Sequence, residues 1–127
     1  MHQSNLIKNS SFINGQWLSS DKSFEVTNPF DNNVFATVSD AGVIETKQAV
    51  KVAKNALKTW SKKSANERSI LMRKWFDLVI KNQDELAKIL TLEQGKPSAE
   101  AKGEIAYGAS FIEWFAEEGK RVYGDTM

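Results

Sequence analysis

The sequence contains no cysteine, one histidine and two prolines. Without cysteine, these 127 residues have no disulfide, no cysteine-ligated metal and no cysteine nucleophile, a composition that fits a reducing compartment. No apolar stretch approaches the roughly 20 residues that a membrane span requires. The polar N-terminal segment also has no apolar core of the kind found in signal peptides. We therefore predict a cytoplasmic chain without membrane contact.

An excess of charge of either sign is also missing. The 17 Lys and Arg residues nearly balance the 16 Asp and Glu residues, so the net charge is +1. This balance gives no support to a nucleic-acid partner or a membrane-surface role. The only histidine, His2, is interpreted as incidental. With 41% hydrophobic and 26% charged residues, the composition is that of a globular domain.

Short strands are predicted in the first forty residues. Asn14 and Gly15 stand between two apolar-rich arms, and both tolerate the positive φ of a type I′ hairpin turn. The segment SFEVTNP predicts another strand, which ends at Pro29 because proline cannot donate to a ladder. The alternation in VFATV predicts a further strand. Residues 1–10 are predicted to be a flexible N-terminus.

Four helices are predicted from about residue 43 onward. The first covers about 43–61, and its apolar stripe comprises Ala49, Ala53, Ala56, Leu57 and Trp60. A capping box of Ser64 and Glu67 starts the second, and the same signature at 82–85 starts the third. Ser98 is predicted to cap the fourth, over about 99–118. The predicted inward residues are Leu71, Trp75, Leu78 and Val79 in the second helix and Leu86, Ile89, Leu90 and Leu92 in the third.

Two motifs invite a chemical interpretation. Gly95-Lys96 resembles the end of a phosphate loop, but the position five before Gly95 is Leu90, and Pro97 stands where a hydroxyl is required. A glycine C-cap followed by proline is therefore favoured. Glu100 and Glu104 share a helix face, so a metal or acid/base pair is conceivable, although ion pairs with basic residues are favoured.

The fourth helix carries apolar residues around about half its circumference, which is wider than the ~100° stripe of a surface helix. Part of this arc is predicted to contact protein outside the sequence. The alternative is that the first three helices cover it completely. The arc comprises Ile105, Tyr107, Gly108, Phe111, Ile112, Trp114 and Phe115.

Four segments carry a resemblance to a known family. They are FINGQWL, FEVTNP, SANERSILMRKWFDLVIKNQDELAKILTLEQGKP and EAKGEIAYGASFIEWFAEEGKRVYGDT. Together they resemble the N-terminal part of the NAD(P)-dependent aldehyde dehydrogenase superfamily, and the last is similar to the succinate-semialdehyde dehydrogenase branch. The resemblance implies an α/β aldehyde dehydrogenase-like fold, of which this chain covers an N-terminal hairpin, short strands and four helices. Residues 11–127 would form the truncated N-terminal part of a cofactor-binding domain.

The resemblance implies oxidation of succinate semialdehyde to succinate, as in 4-aminobutyrate degradation, with NAD or NADP as hydride acceptor. Glutarate semialdehyde is the alternative substrate. The family's thiolate nucleophile, general base, oxyanion-hole residue and cofactor loop have no counterpart here, so no catalytic and no cofactor-binding residue is assigned. We expect the chain alone to be inactive and to bind no cofactor.

A few site residues are implied by the same resemblance. Gly103, Tyr107 and Phe111 would line the substrate tunnel, with core packing as the alternative for the two aromatic residues. Val26 or Thr27, through a backbone carbonyl, and Glu93, through its carboxylate, would bind a structural cation, since oxygen ligands suit a hard cation.

The implied partners are the remainder of the enzyme, other subunits of a homo-oligomer and a small aldehyde. Two other hypotheses are a non-catalytic interaction module that associates with the rest of the enzyme and an independent helical domain.

Overall fold

The computed structural model describes residues 4–124, in which two β-hairpins precede four helices. This order confirms the predicted strands followed by four helices. His2, the first residues of the predicted flexible terminus and residues 125–127 of the predicted domain lie outside the described part. Of residues 4–10, Ser4 donates a hydrogen bond to Glu85, and Asn9 accepts one from the Ser39 amide. The flexibility of residues 1–10 stays a prediction.

Each hairpin forms its own antiparallel two-stranded sheet. Strands β1 (Ser11–Ile13) and β2 (Gln16–Leu18) are joined by Asn14 and Gly15, with φ of 55° and 77°. Both values are positive, as the predicted type I′ turn requires. Strands β3 (Ser23–Thr27) and β4 (Val34–Ser39) form the second sheet, with an irregular register after Val26.

The four helices follow in close succession. They are α1 (Val43–Trp60), α2 (Ala65–Lys81), α3 (Gln83–Gln94) and α4 (Ser98–Glu118). Helix α4 packs against both α2 and α3. Of the residues described, none belongs to a helix that is both long and apolar enough to cross a membrane.

The capping box predicted at the start of α2 is present. The Ser64 amide donates to the Glu67 carboxylate at 2.8 Å, and the Glu67 amide donates to the Ser64 hydroxyl at 3.2 Å. The hydrogen bonds from the Ser64 backbone and side chain lower the pKa of Glu67. Because the pKa of Glu67 is lower in the folded chain, the ionised carboxylate stabilises the fold at pH values above its ordinary pKa. This stabilisation is lost as the pH falls through the lowered pKa.

Asn82 is the N-cap residue of α3, as predicted, but the predicted side-chain cap bond is missing, and the cap predicted for α4 is wrong. The Asn82 side chain makes no cap bond to α3, because its side-chain amide donates to the Leu78 carbonyl at the end of α2. Only one residue separates α2 from α3, so the Asn82 side chain bonds to the helix that ends, while its backbone carbonyl accepts from the Leu86 amide of α3. At α4 the N-cap is Pro97 in an extended conformation, and Ser98 is already the first helical residue.

Ser64→Ala should lower the free energy of unfolding by about 1 kcal/mol at neutral pH, because it removes an N-cap acceptor. Urea unfolding of the full chain measures the change. Ser98→Ala is the matched control and should have a much smaller effect, since Ser98 forms no cap bond. Equal losses for the two variants would contradict this account of the caps.

The buried core consists mainly of small side chains. Helix α4 contributes Ala101, Ala109 and Ala116, each at most 1% exposed, and Ala87 of α3 and Ser69 of α2 are also buried. Small residues spaced by eight and seven lie on one face of a helix, and they let neighbouring helices approach closely. Helix α4 therefore turns its small side chains inward and its large aromatic side chains outward.

The inward face of helix α2 differs from the prediction at three of the four residues named. Leu71, Trp75 and Leu78, which were expected inward, are exposed. Val79, also expected inward, is half-buried, and so is Phe76. Both sets have helical spacing, so periodicity alone does not choose between them. Helix α2 thus has a second apolar stripe that no described residue covers.

Helix α1 contains no buried residue at all. The stripe predicted from Ala49 to Trp60 is largely exposed, including Leu57 and Trp60 themselves. The whole chain has an accessible surface of 9,996 Å². A compact monomer of this mass, 14.3 kDa, would expose about 6,800 Å². Many large apolar side chains are exposed among the described residues, so much of the apolar surface has no partner there.

Candidate functional site

The three residues predicted to line a tunnel lie along one line of α4. Gly103, Tyr107 and Phe111 are spaced by four, so each stands about one turn above the previous one. The Tyr107 and Phe111 rings make an edge-to-face contact with centroids 4.9 Å apart. Both rings are exposed, and a Cβ atom added at Gly103 would meet no atom within 4 Å. Neither ring is buried by the described residues, and both the tunnel role and core packing stay predictions.

A groove of about 840 Å³ runs along the C-terminal half of α4, beside α2. Its apolar wall is formed by Phe111, Trp114 and Phe115, all exposed. Its polar rim is formed by Arg73, Ser110, Glu113, Glu117, Glu118 and Arg121.

Each charged side chain on the rim of this groove has an ion-pair partner. Arg73 of α2 donates to Glu113 of α4 at 2.6 Å, and its guanidinium stacks over Phe76 at 5.1 Å from the ring centroid. The hydrogen bond to Glu113 raises the pKa of Arg73. Arg121 pairs with Glu118 at 2.7 Å.

A third ion pair joins the rim residue Glu117 to Lys120, with 2.8 Å between the carboxylate oxygen and the Lys120 nitrogen. The hydrogen bond from Lys120 lowers the pKa of Glu117. Sequence reasoning identified the aromatic residues of the groove but missed the Arg73–Glu113 pair. The two residues are 40 positions apart, and only the packing of α2 on α4 brings them together.

The residues predicted to bind a cation come from two elements in contact. Val26 and Thr27 end β3, Glu93 lies in the last turn of α3, and α3 contacts β3. Pro29 lies against Gly95, because a Cβ atom on that glycine would come within 2.9 Å of the proline Cγ. Residues 4–124 contain no group of three or more His, Cys, Asp or Glu side chains arranged for a metal. A site built from backbone carbonyls and one carboxylate would not need such a group, so it stays a prediction.

The Gly95-Lys96 segment ends a helix and does not form a phosphate loop. Gly95 has φ of 70° and ψ of 12°, the left-handed C-cap conformation, and its amide donates to the Thr91 carbonyl. Lys96 is paired with Glu104 of α4, which confirms the ion-pair interpretation for that carboxylate. A helix C-cap and a lysine already in an ion pair do not form a binding site for a nucleotide phosphate. We therefore assign no role in cofactor binding to these residues.

The match to a known family decides the identity of this fold. The profile of the aldehyde dehydrogenase family matches residues 17–127. The chain belongs to the aldehyde dehydrogenase family. The resemblance seen in the sequence is thereby confirmed.

Relatives within the aldehyde dehydrogenase family share about half of this sequence. The chain is 54% identical to a glutarate-semialdehyde dehydrogenase of Pseudomonas putida, a match that covers 96% of this chain and 26% of that protein. It is 50% identical to a succinate-semialdehyde dehydrogenase [NADP(+)] of Escherichia coli, covering 100% of this chain and 27% of that protein.

Among solved structures, the succinate-semialdehyde dehydrogenase of Burkholderia pseudomallei superposes with a TM-score of 0.95 and 53% identity. That superposition covers 100% of this chain and 27% of the other. The chain therefore spans about a quarter of the length of these aldehyde dehydrogenases.

Proposed function

We propose that this chain supplies the N-terminal part of an NAD(P)-dependent semialdehyde dehydrogenase. The observation that carries the proposal is identity of about 50% to two semialdehyde dehydrogenases over almost the whole chain. Succinate semialdehyde is the proposed substrate, and glutarate semialdehyde is the alternative. Both are small aldehydes with a carboxylate at the other end.

The proposed reaction consumes one aldehyde, one oxidised nicotinamide cofactor and one water. It releases the carboxylate, the reduced cofactor and two protons, so the aldehyde loses a hydride to the nicotinamide and gains an oxygen from water. Nucleophile, base and cofactor-binding groups belong, on this proposal, to the part of the enzyme beyond the matched quarter. NAD or NADP would bind there and not to this chain alone.

The contribution of this chain to the substrate site is proposed to be one wall. Gly103, Tyr107 and Phe111 present a continuous exposed line on α4. In an assembled enzyme this line would border the aldehyde tunnel. Thr27 or Val26 with Glu93 is proposed as a cation site that ties β3 to α3. The other subunits of a homo-oligomer are proposed partners, and the cytoplasmic location stays a prediction.

A chimeric enzyme tests the proposed function. The first quarter of the E. coli relative is replaced by this chain, and the purified product is assayed for reduction of NAD and NADP with each semialdehyde. We expect turnover of a semialdehyde above the enzyme-free background, with succinate semialdehyde preferred over glutarate semialdehyde. Tyr107→Ala in the chimera should raise KM for the preferred semialdehyde more than it lowers kcat.

Two results would count against the proposal in different ways. A folded chimera that turns over neither semialdehyde would contradict the enzyme assignment. A preference for glutarate semialdehyde would keep the enzyme assignment and overturn the choice of substrate. The unmodified E. coli enzyme, assayed in parallel, is the control for the quality of both substrates.

A second candidate function is a non-catalytic interaction module. The large accessible surface of 9,996 Å² and the uncovered stripes of α1 and α2 favour it. Such a module would bind an intact dehydrogenase or its separately produced remainder without becoming part of an active site. Binding to an intact enzyme, with no gain of activity in the chimera, would favour this candidate over the first.

A further inference from the structure

The net charge of +1 conceals an uneven distribution of charge along the fold. Helix α1 and the turn that follows it contain six lysines but only one carboxylate, that of Glu45. This carboxylate accepts a hydrogen bond from the Gly42 amide at 2.8 Å, and the helical spacing places it on the far side of α1 from the lysines. Helix α1 therefore presents positive charge that its own carboxylate does not offset.

Five of these lysines follow one line along α1. They are spaced by four, three, four and four residues, so along the helix their Cα atoms rise by about 4.5 or 6 Å from one to the next. At 100° per residue, the four within the helix point in directions that differ by about 60° at most, and the fifth lies in the turn that ends the helix. This lysine stripe consists of Lys47, Lys51, Lys54, Lys58 and Lys62.

The lysine stripe has no partner of opposite charge among residues 4–124. All five side chains are exposed, and none forms an ion pair with a described carboxylate. Elsewhere in the fold, five basic residues are each paired with a carboxylate. These paired residues are Arg73, Lys96, Lys102, Lys120 and Arg121. The stripe is therefore a straight row of uncompensated charge.

The lysine stripe and the apolar stripe of α1 lie on opposite faces of the helix. The apolar stripe, which runs from Ala49 to Trp60, points to the other side of the helix axis at 100° per residue. The rest of a dehydrogenase can cover that apolar face without covering the lysines. The lysine stripe is thus open to a ligand in the lone chain and need not be buried in an assembled enzyme.

We propose that the lysine stripe binds inorganic polyphosphate, a linear polymer that carries negative charge on every phosphate group. A lysine ammonium binds phosphate as a point charge, and a straight row of such charges matches a linear polyanion. Each contact releases counterions condensed on the polymer, which is the main source of affinity for polyanions of this kind. The proposal goes beyond the proposed function and does not depend on it.

A nucleic-acid strand and a lipid surface fit the stripe less well. Proteins that bind single strands without sequence preference stack the bases on aromatic side chains. The only aromatic residue of α1 is Trp60, on the apolar face, so bases would gain nothing beside the lysines. On a membrane, that apolar face would enter the lipid and hold the lysine stripe away from the headgroups.

Isothermal titration calorimetry of the full chain with long-chain inorganic polyphosphate tests the proposal. We expect binding that weakens as the salt concentration rises, and weaker binding to an oligothymidylate with the same number of phosphates. The triple variant Lys51→Gln, Lys54→Gln and Lys58→Gln should bind polyphosphate about tenfold more weakly at low salt. The slope of log binding constant against log salt should fall by about three, at about one per lysine removed.

A second glutamine triple is the matched control. Lys74→Gln, Lys81→Gln and Lys88→Gln together remove the same charge from exposed positions outside the stripe. Asp77 shares a helix face with Lys74 and Lys81, so these lysines are partly compensated already. This triple should leave the affinity for polyphosphate nearly unchanged. Equal weakening by the two triples would overturn the proposal, because net charge and not the stripe would then decide binding.

Arginine variants separate loss of charge from loss of structure. Glutamine and lysine have similar helix propensities, and circular dichroism checks that the helix content of each variant is kept. Lys51→Arg, Lys54→Arg and Lys58→Arg together preserve the charge and should bind like the unmodified chain. If the glutamine triple loses helix, the single variants Lys54→Gln and Lys58→Gln should each lower the salt slope by about one.

The remaining outcomes also decide the question. No binding of polyphosphate, tighter binding of oligothymidylate, or binding only to vesicles of acidic phospholipid would each overturn the proposal. Repeating the titration with the chimeric enzyme separates this site from the proposed function. A chimera that oxidises a semialdehyde but does not bind polyphosphate keeps the enzyme assignment and overturns the site, and binding without turnover does the reverse.

Discussion

Ala109→Leu is expected to lower the free energy of unfolding by about 3 kcal/mol, near the upper end for overpacking a core position. Ala109 is 1% exposed and lies on the inward face of α4, which packs against α2 and α3. Three additional carbon atoms there must displace a neighbouring helix or adopt a strained rotamer. Urea unfolding of the full chain, followed by circular dichroism, measures the loss.

Ala99→Leu is the matched control for this prediction. It makes the same change in the same helix at an exposed position, so it should alter stability by less than about 0.5 kcal/mol. If Ala109→Leu were as mild as Ala99→Leu, the small-residue face of α4 would not be its packing face. The outward assignment of Tyr107 and Trp114 would then fail as well.

Gly95→Ala is expected to cost about 2 kcal/mol, because two penalties act at one position. The residue has φ of 70°, which a side chain with a Cβ atom tolerates poorly. The added Cβ would also come within 2.9 Å of Cγ of Pro29, a ring atom that cannot rotate away. The loss is again measured by urea unfolding of the full chain.

A double-mutant cycle separates the two penalties. Pro29→Ala removes the ring, so the double variant should be more stable than the sum of the single losses predicts, by about 1 kcal/mol. Gly103→Ala is the control for adding a methyl group. The added methyl group meets no atom within 4 Å beyond the neighbouring backbone of α4, so Gly103→Ala should stabilise the chain by about 0.5–1 kcal/mol. Strict additivity would show that the Pro29 ring does not lie against Gly95.

Local features of the fold were predictable because the residues that form them are neighbours in the chain. The turn at Asn14 and Gly15, the capping box at Ser64 and the C-cap at Gly95 each depend on four or five consecutive residues. Where two elements share residues, the prediction failed. Asn82 lies between abutting helices, and its amide bonds back to α2, a choice that the capping pattern does not contain.

The orientation of helices was less predictable than their boundaries. Helix α2 has two apolar stripes with the same spacing, and the one with Trp75 faces outward. Helix α4 was correctly expected to be apolar around half its circumference. Which face of α4 is buried depends on how closely α2 and α3 approach it, and this distance cannot be read from the sequence.

The candidate site was partly predictable for the same reason. Gly103, Tyr107 and Phe111 fall on one line by helical spacing alone, and the structure places them so. The Arg73–Glu113 pair that borders the groove joins two helices, and no local pattern marks it. The ion pairing of the charged residues on the groove rim could therefore be recognised only from the structure.

The central claim is that this chain forms part of a semialdehyde dehydrogenase whose reactive groups are supplied by other residues. Its most direct test is a cofactor-reduction assay of the purified 127-residue chain with succinate semialdehyde, run beside the chimeric enzyme. The account predicts a rate at background for the chain and clear turnover for the chimera. Reduction of NAD or NADP by the chain alone, above the enzyme-free rate, would contradict it.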